Sequence, residues 1–189
     1  MARRIAKADS TRGTPRGQSA RTEAAPAAAA ADDDAMRRVL ERAGTVAVVG
    51  ASTRWERPSC YAMQYLQAMG YRILPVNPTA EGEEILGRRV LGSLAGIGEP
   101  VHLVNVFRRS DAVAETVDEA IAIGARAVWL QEGVRDPDAE ARARAAGLDV
   151  VADRCIKKEH FRLFGGHRAG DASARAGRPG RLDSGESAA

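Results

Sequence analysis

Short apolar segments alternate with amphipathic segments of helical period over the middle of the chain. The apolar segments are rich in β-branched residues and are apolar on both faces, which is typical of buried strands. They predict five strands, at residues 45–49, 71–76, 101–107, 127–130 and 148–151. The amphipathic segments predict helices that begin near residues 58, 110, 136 and 156.

Apolar strands separated by single helices favour a parallel sheet that is covered on both faces. The sequence therefore predicts an α/β domain with a doubly wound, mainly parallel five-stranded sheet and right-handed crossovers, a Rossmann-like architecture. Residues 81–98 do not follow the pattern. We expect a long irregular connection there, with one short helix at residues 93–97.

The two ends of the chain differ in composition from the middle. Residues 1–35 and 167–189 are dominated by small, polar and charged residues and bury too little apolar surface to offset the entropy of ordering. We therefore predict a single domain at residues 36–166 between two disordered tails. Asp34 is expected to cap a short first helix that contains Met36, Val39 and Leu40.

Charge and composition argue against several classes of partner. The chain of 189 residues has 28 Lys and Arg against 25 Asp and Glu, and the surplus of +3 is spread over domain and tails. It does not form the basic patch that nucleic-acid binding requires. No apolar segment approaches the roughly 20 residues of a membrane span. Two distant cysteines, Cys60 and Cys155, are typical of a reduced protein, and we expect a cytoplasmic location.

The loop after the first predicted strand carries the main candidate site. It begins with Gly50, where the backbone can turn sharply, and it leads into a helix N-terminus at Pro58. Hydroxyl and guanidinium groups follow in the same segment, at Ser52, Thr53, Arg54, Arg57 and Ser59. Backbone N–H groups, a helix dipole and arginine side chains together suit a phosphate. The alternative is an ordinary loop with solvated arginines.

The residues that this loop lacks indicate which phosphate ligand to expect. The dinucleotide-binding fingerprint has glycine at the positions of Ser52 and Trp55. An acidic residue usually follows the second strand of such a site, where this chain has Asn77 and Pro78. A standard nicotinamide dinucleotide site is therefore disfavoured.

Six groups of short motifs, in order along the chain, carry a resemblance to a known family. They are Gly50-Ala51-Ser52 with Arg57-Pro58-Ser59, Gly70-Tyr71 with Pro75-Val76-Asn77-Pro78, Ile85-Leu86-Gly87, Val104-Asn105-Val106-Phe107-Arg108, Trp129-Leu130-Gln131 with Gly133-Val134, and Asp153-Arg154-Cys155. Over about residues 36–164 the chain resembles the small bacterial CoA-binding proteins. That family consists of a stand-alone CoA-binding domain similar to the N-terminal domain of the succinyl-CoA synthetase α subunit.

The resemblance implies a Rossmann-type domain that holds coenzyme A (CoA) at the ends of its strands. The residues that it places at the CoA phosphates are Gly50, Ala51, Ser52 and Arg57. By the same resemblance Asn77 and Pro78 flank the nucleotide, and Phe107 and Arg108 lie where the third strand opens on the crevice. Gln131 closes the fourth predicted strand, and we expect it to point into this crevice.

We therefore predict a protein that binds CoA or an acyl-CoA through this loop, without catalysis of its own and without a metal ion. One alternative is an oxidoreductase that uses a dinucleotide in a modified Rossmann loop. Another is a CoA-binding subunit of a separately encoded acyl-CoA ligase. A homo-oligomer or a ligase partner is accordingly the expected kind of assembly.

The cysteines add a further hypothesis. A CoA thiol bound nearby could form a mixed disulfide with Cys155 or with Cys60. Cys155 lies shortly after the fifth predicted strand and precedes a helix with Lys157 and Lys158. The alternative is that Cys155 is a small buried residue with a packing role.

Overall fold

A five-stranded parallel sheet lies at the centre of the fold. The computed structural model describes residues 24–170, except the side chains of residues 24–29 and 31. The strands in chain order are β1 (Thr45–Val49), β2 (Arg72–Val76), β3 (Glu84–Ile85), β4 (Arg88–Arg89), β5 (Leu103–Val106), β6 (Ala127–Leu130) and β7 (Asp149–Val151). β3 and β4 form a separate antiparallel hairpin, and the other five pair in parallel in the order β2-β1-β5-β6-β7. The predicted five-stranded α/β sheet is confirmed.

Helices cover both faces of the sheet, as the apolar strands predict. They are α1 (Ala24–Arg42), α2 (Pro58–Ala68), α3 (Val113–Ala122), α4 (Pro137–Ala145) and α5 (Ile156–Phe164). Alternate residues of a strand point to opposite faces. Val46 and Val48 of β1 pack in the cluster with α1, α2 and α5, whereas Ala47 and Val49 pack in the cluster with α3 and α4.

The helix boundaries follow from local sequence signals. The Asp136 carboxylate accepts a hydrogen bond from Ala139 N at 3.0 Å and caps α4, with Pro137 at the first helical position. Gly70 follows the end of α2 with φ +84°, a left-handed conformation that glycine adopts without strain. The predicted ends of these two helices are confirmed.

The order of the strands defines where a ligand can enter. From β1 the chain passes to β2 on one side, and it later returns to β5 on the other side of β1. This reversal of direction leaves a crevice at the carboxyl ends of β1 and β5, the position at which doubly wound sheets bind ligands. The loops after β1, β2, β5, β6 and β7 all lie at that edge.

The first helix begins earlier than the sequence pattern predicts. It starts at Ala24 rather than at Asp34, so residues 24–35, which we assigned to a disordered tail, have a helical backbone. Alanine has the highest helix propensity, and Pro26 falls in the first turn, where its missing N–H is tolerated. Arg162 of α5 also donates a hydrogen bond to the Asp33 carboxylate at 2.8 Å, which lowers the pKa of that carboxyl below its ordinary value.

The remaining part of the predicted N-terminal tail, residues 1–23, lies outside the described residues, as do residues 171–189. Residues 167–170 are described, and Ala169 packs against the core cluster of α1, α2 and α5.

The connection at residues 81–98 contains more regular structure than the pattern predicts. The β3–β4 hairpin occupies its first half, and Leu86 and Gly87 form its turn with φ +52° and +72°. Leu91 then pairs with Val76 at the free edge of β2. The expected short helix is present as a 3₁₀ turn at Leu94–Gly96.

A histidine of α5 is buried against α2. His160 is fully buried, and its Nδ1 lies 2.9 Å from the Tyr65 hydroxyl. The Tyr71 and Phe164 rings lie 5.5 and 5.0 Å from the imidazole. Because burial disfavours the charged form, the pKa of His160 falls to about 4.

We expect acidification from pH 6.5 to pH 5 to lower the free energy of unfolding by about 1.6 kcal/mol through His160. Well above pH 6.5 the histidine is neutral in both states and contributes nothing to the pH dependence. Below that value the unfolded chain binds the proton while the folded chain does not, until pH reaches the folded pKa of about 4. Urea unfolding at both pH values should show a smaller loss for His160→Gln, which keeps an acceptor for Tyr65. An equal loss in both proteins would contradict this assignment.

Candidate ligand-binding site

The loop between β1 and α2 starts with Gly50, and any other residue at this position would be strained. Gly50 has φ +83°, and a Cβ at this position would lie 2.5 Å from the Phe107 carbonyl oxygen. Gly50 N also donates a hydrogen bond to Val76 O at 2.9 Å. The loop therefore leaves the sheet through a narrow gap between the ends of β2 and β5.

The loop is braced by short-range hydrogen bonds before it enters α2. Ser52 Oγ accepts a bond from Arg54 N at 3.2 Å, and Arg54 O accepts one from Arg57 N at 3.0 Å. Arg57 is the N-cap residue of α2, but its side chain makes no capping bond. The guanidinium groups of Arg54 and Arg57 are thus available to a ligand at the positive end of the helix dipole.

A polar cleft opens in front of this loop. Its volume is about 580 Å³, and it is lined by hydroxyls, two arginines and the end of β2. Seven of the predicted site residues line it, namely Gly50, Ser52, Arg54, Arg57, Ser59, Asn77 and Phe107. Thr53 and Thr79 add further hydroxyls, and Glu83 is the acidic side chain of the lining. This composition suits an anion with several oxygen atoms.

Asn77 supports the loop instead of offering its amide to a ligand. Its Nδ2 donates a hydrogen bond to Ala51 O at 2.8 Å, and its Oδ1 accepts bonds from Thr79 N at 3.1 Å and Thr79 Oγ1 at 2.9 Å. The side chain therefore ties the β1–α2 loop to the end of β2. Ala51 is fully buried and Pro78 is exposed, and neither is part of the lining of this polar cleft.

A second, less polar cleft adjoins the first. Its volume is about 680 Å³, and it lies over the ends of β5, β6 and β7 between α2 and the start of α5. Pro58 and Phe107 line both clefts, so the two volumes meet there. The predicted residues Arg108 and Gln131 line the second cleft, with Tyr61 and Val134 as apolar neighbours.

Gln131, which lines the apolar cleft, forms a polar pair with Asn105, and the sequence analysis named Asn105 only as part of a motif. Gln131 Nε2 donates to Asn105 Oδ1 at 2.6 Å, and Gln131 Oε1 accepts from Ile156 N at 3.4 Å. Asn105 is fully buried, and its Nδ2 has no hydrogen-bond partner within the described chain. An asparagine inside an otherwise apolar strand was the sequence signal for this group.

Tyr61 and Lys157 line the apolar cleft, and two further aromatic rings lie beside them. Lys157 Nζ lies 5.9 Å from the centres of the Tyr61 and Tyr65 rings, within the range of a cation–π contact. Trp55, with 64% of its surface exposed, stands edge-on to Tyr61 at 6.1 Å. The large side chain of Trp55 therefore lies on the outside of the loop and does not obstruct the polar cleft, whose lining excludes it.

The two cysteines lie in different environments. Cys60 is buried in α2, whereas Cys155 is half-buried, precedes α5 as its N-cap residue and lines the apolar cleft. Trp129 Nε1 donates to Arg154 O at 2.7 Å, which fixes the backbone just before Cys155. Only Cys155 is placed to meet a ligand in the cleft.

Two features are absent from residues 24–170. That part of the chain has no group of three or more His, Cys, Asp or Glu side chains that could hold a metal ion. None of its helices is long and apolar enough to cross a membrane.

Comparisons with known proteins converge on one family. A family model described as "CoA binding domain" matches residues 44–161. The uncharacterized protein YneT of Bacillus subtilis is 37% identical over 125 residues, which cover 66% of this chain and 91% of YneT. A solved structure from Thermus thermophilus, described only as cell-free ID.343, is 44% identical with a TM-score of 0.67, and the match covers 70% of this chain and 98% of that one.

A more distant structural likeness extends to part of a larger enzyme. The dinucleotide-forming acetyl-coenzyme A synthetase 1 of Ca. Korarchaeum cryptofilum matches with a TM-score of 0.54 and 20% identity. The match covers 62% of this chain and 28% of the synthetase chain. At this identity the likeness shows a shared fold.

Proposed function

Since the chain belongs to the CoA-binding domain family, we propose that it binds CoA, or an acyl thioester of CoA, across the two adjoining clefts. The observation that carries this proposal is the pair of clefts that meet at Pro58 and Phe107. CoA has the same division, with a phosphorylated nucleotide at one end and a less polar pantetheine arm at the other. In this proposal the chain binds its ligand and has no catalytic residue of its own.

The polar cleft fits the phosphates. Arg57 and Arg54 supply planar forks of N–H donors, and the hydroxyls of Ser52 and Ser59 supply shorter contacts. The start of α2 adds the positive end of a helix dipole. The proposed nucleotide end therefore lies over β1 and β2.

The length of the apolar cleft fits the pantetheine arm. The arm has twelve bonds from phosphate oxygen to sulfur. Four residues of extended backbone contain the same number of bonds, so the arm spans about 13–14 Å. The cleft lies over the ends of β5, β6 and β7, and the loop that would anchor the arm follows β1, one strand further along the sheet. Three strand spacings of about 4.8 Å give roughly 14 Å. An arm anchored at the β1–α2 loop would thus end near Cys155.

The proposed location is the cytoplasm. Both cysteines are free thiols, which agrees with a reducing compartment. Association with a second copy or with a separate ligase remains a prediction of the sequence analysis.

A thermal-shift series tests the proposed ligand. We expect CoA at about 100 times its dissociation constant to raise the free energy of unfolding by about 2.7 kcal/mol, since a ligand that binds only the folded state stabilises it. NAD and ATP at the same concentration should shift the melting temperature much less, because neither carries a pantetheine arm. A clear shift with NAD and none with CoA would refute the proposal and favour the oxidoreductase alternative.

A further inference from the structure

Lys157 places a positive charge at the apolar cleft. It lines that cleft from the first turn of α5, and its Nζ lies 5.9 Å from the centres of the Tyr61 and Tyr65 rings of α2. Such contacts are attractive and hold the ammonium group over the two rings. The Lys157 side chain therefore reaches from α5 toward α2, the two helices between which the cleft lies.

Within the described residues, no carboxylate forms an ion pair with Lys157. The next residue, Lys158, differs in this respect, because its Nζ lies 2.7 Å from a Glu132 carboxylate oxygen. Glu56 also lines the apolar cleft, but it is exposed and does not pair with Lys157. The charge of Lys157 is thus left for a group that enters the cleft.

The place of Lys157 in α5 is also electrostatically unfavourable. The first turn of a helix is the positive end of the helix dipole, where a cation is destabilised and an anion is stabilised. Glu159, the acidic residue of that turn, lies 2.7 Å from Arg162 and is paired with it. A departure from a local rule without a compensating contact is expected at functional sites. An anion bound beside Lys157 would supply the compensation.

The other cations of the apolar cleft are placed for different contacts. Arg108 passes beside Gly50, since a Cβ on that glycine would lie 3.4 Å from Arg108 Cδ, so it belongs to the end nearer the phosphates. Arg109 lies 3.5 Å from an Asp111 carboxylate oxygen. Lys157 is therefore the cation at the end of the cleft where the pantetheine arm would finish.

The distance from Cys155 to Lys157 fits the length of an acyl group. In the proposed binding mode the CoA sulfur lies near Cys155, and Cα atoms two residues apart along a helix are separated by about 5.4 Å. In the dicarboxylic thioester glutaryl-CoA, five bonds, or about 5.5–6 Å, separate the sulfur from the terminal carboxylate carbon. The cleft volume of about 680 Å³ is in the range that holds a drug-sized ligand, which leaves room for an acyl group beside the arm.

We propose that the apolar cleft selects CoA thioesters whose acyl group ends in a carboxylate, and that Lys157 recognises that carboxylate. The ligand class is therefore the dicarboxylic acyl thioesters of CoA. The inference rests on the proposed function, because it requires the nucleotide to be anchored in the polar cleft and the arm to lie in the apolar one.

A matched pair of ligands tests the selectivity. Glutaryl-CoA and pentanoyl-CoA have acyl chains of equal length and differ in that a carboxylate replaces the terminal methyl group. Because an ion pair with an exposed lysine is weak, we expect the full chain to bind glutaryl-CoA roughly fivefold more tightly than pentanoyl-CoA. Isothermal titration calorimetry measures both dissociation constants. Equal affinities, or tighter binding of pentanoyl-CoA, would overturn the proposal.

Two adjacent lysines provide the variant and its control. Lys157→Met keeps an unbranched side chain but removes the charge, so it should abolish the preference for glutaryl-CoA and change the affinity for pentanoyl-CoA less than about twofold. Lys158→Met removes the same charge from a residue outside the lining, and the preference should persist. Lys157→Glu should reverse the preference. An equal loss of preference in Lys157→Met and Lys158→Met would show that only net charge matters and would overturn the assignment.

Titration with CoA itself separates this inference from the proposed function. CoA has the nucleotide and the arm but no acyl group, so its binding should be the same in the unaltered sequence and in Lys157→Met. Binding of CoA without a preference for glutaryl-CoA would overturn the carboxylate site and leave the proposed function intact. A chain that binds neither CoA nor its thioesters would overturn both proposals together.

Discussion

Replacing Gly50 with alanine is expected to lower the free energy of unfolding by roughly 2–5 kcal/mol. The left-handed conformation at φ +83° costs an alanine about 1–2 kcal/mol. The new Cβ would also lie 2.5 Å from the Phe107 carbonyl oxygen, which is part of the backbone at the end of β5. Relieving that contact requires the ends of β1 and β5 to separate, and such overpacking costs about 1–3 kcal/mol.

Gly147→Ala is a matched control for this variant. Gly147 has φ +88°, and a Cβ at that position would meet no atom within 4 Å. It therefore carries the conformational cost without the collision, and we expect a loss of about 1–2 kcal/mol. Urea unfolding of the three proteins measures the difference. Equal losses at both positions would show that the gap between β1 and β5 is wider than the structure indicates.

Gly50→Ala is also expected to weaken CoA binding. Phe107 lines both clefts, and Arg108 Cδ would lie 3.4 Å from the new Cβ. A shift of the β5 end therefore moves the point at which the clefts meet. The folded fraction of Gly50→Ala should bind CoA more weakly than the folded fraction of Gly147→Ala.

The sheet was predictable from the sequence because its strands are buried on both faces. All five residues of β1 are buried, and the same holds for the four residues of β5 and of β6. Strands in that environment are apolar throughout, and single helices between them permit only parallel pairing with covered faces. The bounds of β1 and β6 agree with the prediction residue by residue.

The elements that the sequence analysis missed owe their structure to the rest of the fold. The β3 and β4 strands have two residues each, three of them charged, so they carry no alternation that a pattern could show. Their position beside β2 depends on Leu91, which pairs with Val76. The early start of α1 is similar, because the ion pair of Asp33 with Arg162 joins residues that are 129 positions apart.

The candidate site was predictable where it depends on one loop. Gly50, the hydroxyls and the two arginines were identified because they follow a strand and precede a helix. The apolar cleft was less predictable as a whole, because its lining comes from several segments that only the folded sheet brings together. Gln131 and Cys155 were expected near the ligand, whereas Tyr61 was not. The bracing of the loop by Asn77 was not predicted, because its hydrogen bonds to Ala51 and Thr79 depend on how the ends of β1 and β2 meet.

Replacing Arg57 with alanine is expected to raise the CoA dissociation constant about 10–100-fold. A hydrogen bond between an arginine and a charged group is worth about 1.5–3 kcal/mol, and each 1.4 kcal/mol changes affinity tenfold. The Arg57 side chain makes no capping bond to α2, so the change should leave the fold intact. Isothermal titration calorimetry measures the constant, and unfolding in urea checks that stability is unchanged.

Arg126→Ala provides the comparison. Arg126 is exposed and precedes β6, so it lies at the opposite end of the sheet beside His102 and Asp149. The Arg126→Ala substitution removes the same charge from the chain as Arg57→Ala. We expect it to change CoA affinity less than twofold, because at about 0.15 M salt distant exposed charges are screened. Equal effects of the two substitutions would mean that only net charge matters and that the phosphate site is misassigned.

Salt dependence distinguishes direct phosphate contact from an indirect role of Arg57. If its guanidinium binds a CoA phosphate, part of the binding free energy is a screened charge interaction, and affinity should fall as salt rises from 0.05 to 0.5 M, the test range. Arg57→Ala removes that interaction, so its affinity should fall less over the same range than that of Arg126→Ala. Weaker binding by Arg57→Ala with an unchanged salt dependence would instead assign Arg57 to shaping the loop, and Arg54, which lines the same cleft, would be left as the arginine that contacts phosphate.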